Sequence, residues 1–385
     1  MQKSSKIISA GLAIFAMLFG AGNIVFPLAL GRNSGSAVWF AMAGFFLTAA
    51  LVPLLGIVSS CLFDGDYKKY LNMMGKIPGT LIALVCMLLI GPFGATPRCV
   101  ATSYAALRWY LPAITLPVFS IAAVILIFLL TFKKNRVIDI IGRFLGPIKI
   151  GLLFAIITLG LLSAKTLMPG DSSSLKLFTT GVFSGYGTLD LLSGLFFSAL
   201  VLSGLKKGLT LEEQHDYKKI GMLGLKAGLV GVLLLGIVYS GFGLVAAFYK
   251  PHIQNVADAE LFSALAELIL GSKLGILAGI TVAISCLATA VALTTVFAEY
   301  LRKEVFKSKV PYIATLLTTV CITGAMSNLD FKGIMQMLAP VVVLAYPALI
   351  VLALCNVANK LFGFKWIRLP VAITFLTSVF FHFGR

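Results

Sequence analysis

The chain has 385 residues, of which 59% are hydrophobic and 12% charged, and its mean hydropathy is +1.01. An ordinary soluble domain carries about 25% charged residues, so a soluble globular protein is excluded. A disordered chain is excluded as well, because disordered segments are poor in apolar residues. The composition predicts a polytopic membrane protein that lipid surrounds over most of its length.

Apolar stretches long enough to cross a bilayer, about 17–25 residues each, recur along the whole chain. They predict an all-α protein with about 11 transmembrane helices, which we number as segments 1 to 11. Segment 1 is too long and Gly-rich for a cleaved signal peptide, and segment 8 is a split region with one crossing near 274–298. The predicted bounds are 7–31, 36–63, 78–97, 111–132, 144–164, 177–205, 220–249, 261–298, 310–328, 333–357 and 367–382.

The net charge of +17 comes from 31 Lys and Arg residues against 14 Asp and Glu residues. With the N-terminus placed inside, 22 of these cations fall in the predicted inside loops and nine outside. Cytoplasmic loops of membrane proteins carry such an excess of Lys and Arg. The charge therefore predicts a cytoplasmic N-terminus, and it does not indicate a nucleic-acid partner.

Segments 1 and 6 each carry a helix breaker deep inside apolar sequence. Segment 1 contains Gly20-Ala21-Gly22-Asn23 followed by Pro27, and segment 6 contains Gly185-Tyr186-Gly187-Thr188. Matched interruptions in two halves of a chain indicate the central site of a transporter. The alternative is that these glycines only allow close helix packing.

Ionisable residues at membrane depth are costly, so they are candidates for function. Asp190 could ligate a cation, carry a proton, neutralise a buried arginine or cap a broken half-helix. Arg98 could be a buried or gating charge, or it could extend to the outer interface behind Pro97. Lys149 could be a switch, or it could mark the inner end of segment 5.

Hydroxyl groups in segment 8 are candidate cation ligands. Ser285 and Thr289 are four residues apart and share one helix face, and hard cations prefer oxygen. Alternatively, such hydroxyls only bond to carbonyls of their own helix. The cysteines and histidines have no metal-ligand spacing, and motifs of hydrolases, metalloproteases and phosphate loops are absent, so neither an enzyme nor a metal site is expected.

Several motifs in order along the chain resemble the bacterial branched-chain amino acid:cation symporters. Segment 1 carries Phe19 to Pro27 (FGAGNIVFP), and segment 3 carries Gly91-Pro92 and Ala95 to Arg98 (ATPR). The remaining matches are Gly185 to Asp190 (GYGTLD), Cys286 to Val291 (CLATAV) with Ala298-Glu299, Ser327-Asn328-Leu329, and Tyr346-Pro347.

The resemblance implies a leucine-transporter-type fold with two inverted five-helix repeats, residues 1–164 and 177–357, an additional C-terminal helix in 367–385, and discontinuous helices 1 and 6. It implies that substrate binds at both breaks. The N–H groups near Gly20, Ala21, Gly22 and Asn23 would receive the substrate carboxylate. Segment 6 would face the α-amino group and side chain through Gly185, Tyr186, Gly187 and Thr188. The cation would lie between segment 1 carbonyls, including that of Phe19, and the Ser285/Thr289 face.

We therefore expect a secondary active transporter that imports Leu, Ile and Val across the bacterial cytoplasmic membrane, with sodium favoured as the coupling ion and no other cofactor. The alternatives are a proton-coupled symporter and an exchanger or exporter of other neutral amino acids. Some members of the wider superfamily place a segment 5 lysine beside the cation site and couple to protons, and Lys149 matches that position. The expected partners are the amino acid and the bilayer, and the oligomeric state stays open.

Overall fold

A computed structural model describes residues 2–132, 137–164, 166–170, 172–206 and 209–383. These residues form helices joined by short connections, and no β-strand occurs among them. Residues 384 and 385, at the end of the predicted C-terminal unit, lie outside the described residues. In the part of the chain that the structure describes, five helical stretches are long and apolar enough to cross a membrane, and five shorter apolar helices accompany them. The number of crossings, eleven, stays a prediction, as do the residue bounds of the two repeats.

The helices are numbered in chain order. The α-helices are α1 (Gln2–Leu18), α2 (Ala21–Ser34), α3 (Val38–Phe46), α4 (Val52–Cys61), α5 (Tyr67–Leu71), α6 (Lys76–Ile90), α7 (Ala95–Leu107), α8 (Leu116–Phe132), α9 (Val137–Leu162), α10 (Ser174–Tyr186), α11 (Asp190–Lys206), α12 (Leu211–His215), α13 (Tyr217–Phe248), α14 (Lys250–Ile253), α15 (Leu261–Tyr300), α16 (Tyr312–Ser327), α17 (Asp330–Phe362) and α18 (Arg368–Phe383). Short 3₁₀ turns occur at Gly35–Ala37, Asn72–Met74 and Asp258–Glu260, and π-helical turns at Leu47–Leu51 and Leu301–Val305.

Segments 1 and 6 are discontinuous in the structure. Phe19 and Gly20 separate α1 from α2, and residues 187–189 separate α10 from α11. Leu189 has a φ of 64°, a left-handed conformation that is strained for a non-glycine residue and that clusters at functional sites. Segment 8 divides at Gly271, where φ is 78°, near the predicted start of its crossing.

Segment 3 differs from its predicted bounds, because it too is broken and it continues to Leu107. Helix α6 ends at Ile90, a turn occupies residues 91–94, and α7 then begins. A side chain at Gly94 would place its Cβ 2.0 Å from the carbonyl oxygen of Leu89, so this tight turn requires glycine. The prediction that the segment ends at residue 97 was wrong, because Arg98, the next residue, resembles a cation of an outside loop.

The helix breaks lie in the interior because long neighbouring helices pack around them. Helix α15 packs against α7 and α9, and α13 packs against α1 and α2. The contact between α7 and α15 is close enough for the Ser103 hydroxyl to donate to the carbonyl oxygen of Ala283 at 3.2 Å. This packing brings segments 1, 3, 5, 6 and 8 together around one cavity.

Candidate functional site

A cavity of about 340 Å³ lies at the breaks of segments 1 and 6. It contains residues of α1, α2, α7, α9, α11 and α15 in its wall. The predicted site residues that line it are Gly20, Ala21, Gly22, Asn23, Arg98, Lys149, Thr188, Asp190, Ser285 and Thr289. Four others, Phe19, Gly185, Tyr186 and Gly187, are not part of its lining as described.

The ammonium group of Lys149 occupies the place where a cation is expected from sequence. Its Nζ donates to the carbonyl oxygen of Phe19 at 3.0 Å and to the hydroxyl of Ser285 at 2.8 Å. The same nitrogen lies 4.6 Å from the centre of the Phe19 ring, a cation–π distance. Lys149 therefore joins segment 5 to the break of segment 1 and to segment 8, and it does not mark the inner end of a helix.

The other hydroxyl on that helix face is already engaged. Thr289 Oγ1 donates to the carbonyl oxygen of Ser285, four residues earlier in α15, at 3.1 Å. This is the local bond that threonine commonly makes inside helices. Thr289 still lines the cavity, but Ser285 is the hydroxyl that contacts the ammonium group.

Asn23 links the two broken segments. Its Oδ1 accepts from the N–H of Gly20 at 3.1 Å, so the side chain caps the start of α2. Its Nδ2 donates to Asp190 Oδ2 at 2.5 Å and also to the hydroxyl of Tyr239. Asn23 is 1% exposed and Asp190 3% exposed. The amide thereby couples the first turn of α2 to the first turn of α11.

Arg98 lies in the interior and not at the outer interface, since it is only 2% exposed. Its Nη1 donates to the carbonyl oxygen of Gly187 and to Met335 Sδ, and its Nη2 donates to the carbonyl oxygen of Thr188 at 3.4 Å. The guanidinium group therefore satisfies carbonyls that the break in segment 6 leaves without helical partners. It has no ion pair within 4.0 Å among the described residues, and its Nε has no hydrogen-bond partner there.

Sequence reasoning missed three kinds of site residue. Tyr239 is one of them, although its hydroxyl and that of Ser240 next to it are a usable polar signal in the apolar middle of segment 7. Met335 carries no such signal, because thioethers occur throughout apolar helices. The residues of the apolar cavity wall could not be predicted either, because in sequence they resemble lipid-facing residues. They are Ile150, Ile284, Ala288 and Ala292.

A second cavity of about 980 Å³ lies on the opposite side of the breaks. Its wall includes Phe26, Met335 and the turn Asp258–Glu260. Two ion pairs secure that turn, Arg32 to Asp258 at 2.5 Å and Arg108 to Glu260 at 2.7 Å. Phe26 and Met335 also contact the Gly187 region, because a Cβ on Gly187 would lie 2.8 Å from Phe26 Cζ and 3.0 Å from Met335 Cε. Packed side chains therefore separate the two cavities.

Two cavities on opposite sides of a pair of broken helices are an arrangement that alternating access in a membrane transporter requires. Solved structures support the fold. The chain is similar to the inward-facing conformation of Mhp1 (TM-score 0.68, 14% identity, 97% of this chain and 87% of that one). It is also similar to a manganese transporter of Eremococcus coleocola (TM-score 0.56, 14% identity, 96% of this chain and 84% of that one). The protein therefore has the leucine-transporter-type fold expected from its sequence.

Residues 3–384 match the family model described as branched-chain amino acid transport protein, and the chain belongs to that family. Relatives in Staphylococcus aureus strains MRSA252 and USA300 are named as branched-chain amino acid carriers. Each is 30% identical over 402 aligned residues, covering 99% of this chain and 88% of the relative. The chain is a transporter and not an enzyme.

Proposed function

We propose that this protein is a secondary active transporter that imports Leu, Ile and Val by symport with a cation. Alternating access takes place around the cavity at the breaks of segments 1 and 6. The observation that carries the proposal is this cavity, in which two broken helices, three charged side chains and an apolar wall converge. Its volume of about 340 Å³ is at the lower end of the range for small-molecule sites.

The substrate carboxylate is assigned to the start of α2. Ala21 and Gly22 are the first residues of that helix, and both line the cavity. The N–H groups of a first helical turn have no helical acceptor, and the positive end of the helix dipole attracts an anion. The N–H of Gly20 is not available in the same way, because it already donates to Asn23 Oδ1.

The substrate side chain is assigned to the apolar wall that α9 and α15 provide. Ile150, Ile284, Ala288 and Ala292 all line the cavity, and the two alanines leave room beside the larger residues. A pocket of this kind discriminates by size, and one methylene is worth only about 1–3 kcal/mol. The same site is therefore expected to accept Leu, Ile and Val.

The coupling ion is assigned to the proton carried by Lys149. Sodium is favoured from sequence alone, but the position of Lys149 Nζ supports the alternative. The ammonium group already bonds to Phe19 O and to Ser285 Oγ, the oxygens that a sodium ion would use. Two unit charges about 4 Å apart repel by about 4 kcal/mol at an effective dielectric constant of 20. A charged Lys149 and a sodium ion are therefore alternative occupants of this place.

Release of the proton gives the coupling step. The charged lysine ties segment 5 to the break of segment 1, and the neutral lysine loses its charge-assisted bond to the Phe19 carbonyl. Segment 1 is then free to move relative to segments 5 and 8. Net import requires that the fully loaded and the empty forms change sides more readily than the half-loaded forms.

The sidedness follows from the positive-inside distribution. With a cytoplasmic N-terminus, α1 and the C-terminal part of α11 lie on the cytoplasmic side of the breaks. Phe15, Phe197 and Leu293 extend the cavity in that direction. The 980 Å³ cavity then faces outward, in the bacterial cytoplasmic membrane. With this orientation the structure is an inward-open form. The Phe26 and Met335 side chains close the path from the outward-facing cavity to the breaks.

The test is uptake of radiolabelled leucine into proteoliposomes that contain the purified protein, with the membrane potential clamped. An inward proton gradient is expected to drive accumulation, and an inward sodium gradient at equal pH is not. Accumulation with sodium alone contradicts the assignment of the coupling ion to Lys149. Exchange of internal for external leucine without accumulation by either gradient indicates an exchanger. Absence of all leucine flux from folded protein refutes the proposed function.

A further inference from the structure

The main-chain oxygens at the break of segment 6 are already engaged. Arg98 donates to the carbonyls of Gly187 and Thr188. The carbonyl of Gly185 accepts from the hydroxyl of Thr188 at 2.8 Å, and that of Tyr186 accepts from the N–H of Leu189 at 3.2 Å. A guanidinium group at this place also repels a second cation. A carbonyl oxygen can accept a second hydrogen bond, but the charge of Arg98 beside these carbonyls favours a carboxylate as the acceptor of the substrate ammonium group, which the family resemblance directs to this break.

The break of segment 1 does not supply that acceptor. The carbonyl oxygen of Phe19 accepts from Lys149 Nζ at 3.0 Å, and that of Leu18 accepts from the N–H of Gly20 at 2.9 Å. An ammonium group at Phe19 would again lie beside a side-chain cation. Lys149 and Arg98 thus hold the carbonyl ends of the first half-helix in each of the two broken segments.

Asp190 is the only carboxylate among the described residues that line the cavity. It is the first residue of α11 and is 3% exposed. One oxygen, Oδ2, accepts from Asn23 Nδ2 at 2.5 Å. The side chain of Thr188, whose hydroxyl donates to the carbonyl oxygen of Gly185 at 2.8 Å, also lies beside this carboxylate. A carboxylate has about four acceptor sites, so Asp190 can accept a further hydrogen bond at Oδ1 from a group in the cavity.

We propose that Asp190 binds the α-ammonium group of the substrate, and that this contact selects amino acids over 2-hydroxy acids with the same side chain. The inference rests on the proposed function and adds the residue that recognises the amino group. Oδ1 accepts from the ammonium group while the bond from Asn23 to Oδ2 is kept. The substrate carboxylate lies at the start of α2, so the zwitterion bridges the two breaks.

Asn23 is a positioning residue for this contact. Its amide is fixed at both ends, by the N–H of Gly20 on Oδ1 and by the hydroxyl of Tyr239 on Nδ2. A side chain fixed in this way holds the Asp190 carboxylate in one orientation. The helix that Asn23 belongs to also supplies the carboxylate site, so the two ends of the zwitterion are recognised at a set separation.

The chemical contrast is between leucine and 2-hydroxy-4-methylpentanoate, which have the same side chain and carboxylate. A site built to hydrogen-bond a substrate group strongly rejects the analogue that lacks it, because its own polar group is left unpaired. For the wild-type protein we expect leucine to compete with labelled leucine at least a hundred times better than the hydroxy acid does.

The test variant is Asp190→Asn, which is isosteric and keeps an oxygen that accepts from Asn23. We expect its affinity for leucine to fall at least tenfold and its affinity for the hydroxy acid to stay or rise, so that selectivity is lost. The readout is displacement of labelled ligand from purified protein whose folding is checked by size-exclusion chromatography. Glu212→Gln, which neutralises an exposed acid on α12, is the matched control and keeps the wild-type selectivity.

Each outcome decides the question. Equal affinity of the wild-type protein for leucine and for the hydroxy acid overturns the inference without any variant, as does unchanged selectivity in Asp190→Asn. An equal loss of both ligands assigns Asp190 a structural role and also overturns it. If Asp190→Asn does not fold, Asp190→Glu replaces it, with a smaller loss of selectivity expected. Failure of the wild-type protein to bind or transport leucine is a failure of the proposed function and is recognised as such.

Discussion

The replacement Lys149→Ala tests the assignment of the coupling ion most directly. It removes the ammonium group that donates to Phe19 O at 3.0 Å and to Ser285 Oγ at 2.8 Å. No other described side chain places a proton-carrying cation between these two oxygens. We expect the variant to lose accumulation driven by a proton gradient, because nothing at this place carries the proton.

The same change is expected to create sensitivity to sodium. The variant leaves a carbonyl, a serine hydroxyl and the nearby Thr289 hydroxyl facing a space without a fixed charge, and hard cations prefer such oxygens. Removing a unit charge about 4 Å away relieves a repulsion of about 4 kcal/mol at an effective dielectric constant of 20. That difference corresponds to a factor of about a thousand in sodium affinity.

The assay is leucine counterflow and gradient-driven uptake in proteoliposomes, measured over a series of sodium concentrations and a series of pH values. The matched control is Lys309→Ala, an exposed lysine far along the chain, which keeps proton-driven uptake. Counterflow in Lys149→Ala that increases with sodium supports the reasoning. Proton-driven accumulation that survives in Lys149→Ala refutes it, because the coupling proton must then reside elsewhere.

Four further substitutions have definite expected outcomes. Gly31→Ala places a Cβ 2.0 Å from the carbonyl oxygen of Gly243, so we expect a loss of stability of about 1–3 kcal/mol. The Cβ of Gly151→Ala meets nothing within 4 Å, so we expect this variant to gain about 0.5–1 kcal/mol of stability. Both changes are measured as shifts in Tm. Arg98→Met leaves two main-chain carbonyls without a donor, and each unpaired carbonyl costs about 1–3 kcal/mol of stability. We expect the variant to have a lower Tm and no leucine uptake. An unchanged Tm contradicts the hydrogen bonds described for Arg98. Ser285→Ala removes one of two acceptors of the lysine ammonium group, so the pH profile of leucine uptake shifts to lower pH, and an unshifted profile contradicts a proton step at that lysine.

Much of the architecture could be predicted because lipid imposes a simple rule on sequence. A crossing needs a long apolar stretch, and a break in it needs Gly or Pro, so the breaks in segments 1 and 6 were predicted at the correct places. Segment 3 was bounded wrongly, because a positive charge after Pro97 resembles the end of a crossing. Burial of Arg98 depends on carbonyls contributed by segment 6, and one segment read by itself contains no sign of them.

The candidate site was predictable only in part, for a related reason. Asp190, Asn23 and Lys149 stand out because a polar group is unexpected in apolar sequence. Which groups pair with one another depends on how the helices pack. Sequence therefore predicted a cation site at the segment 1 carbonyls and Ser285, and the family resemblance directed Lys149 to the same place. The bonds from its ammonium group to Phe19 and Ser285 depend on helix packing.

The two side-chain cations differ in a way that assigns them different tasks. Arg98 and Lys149 each bond to carbonyl oxygens at the end of the first half-helix, one in segment 6 and one in segment 1. A guanidinium group is always charged in proteins, whereas a lysine ammonium group can lose its proton. Segment 6 is therefore held permanently, and only the link to segment 1 can be released, when Lys149 loses its proton. If Asp190 is engaged by the substrate ammonium group, it is also removed as a proton carrier. Coupling then requires that both events act on the break of segment 1. The substrate carboxylate binds at the start of α2, and the Lys149 ammonium group binds to the Phe19 carbonyl at the end of α1.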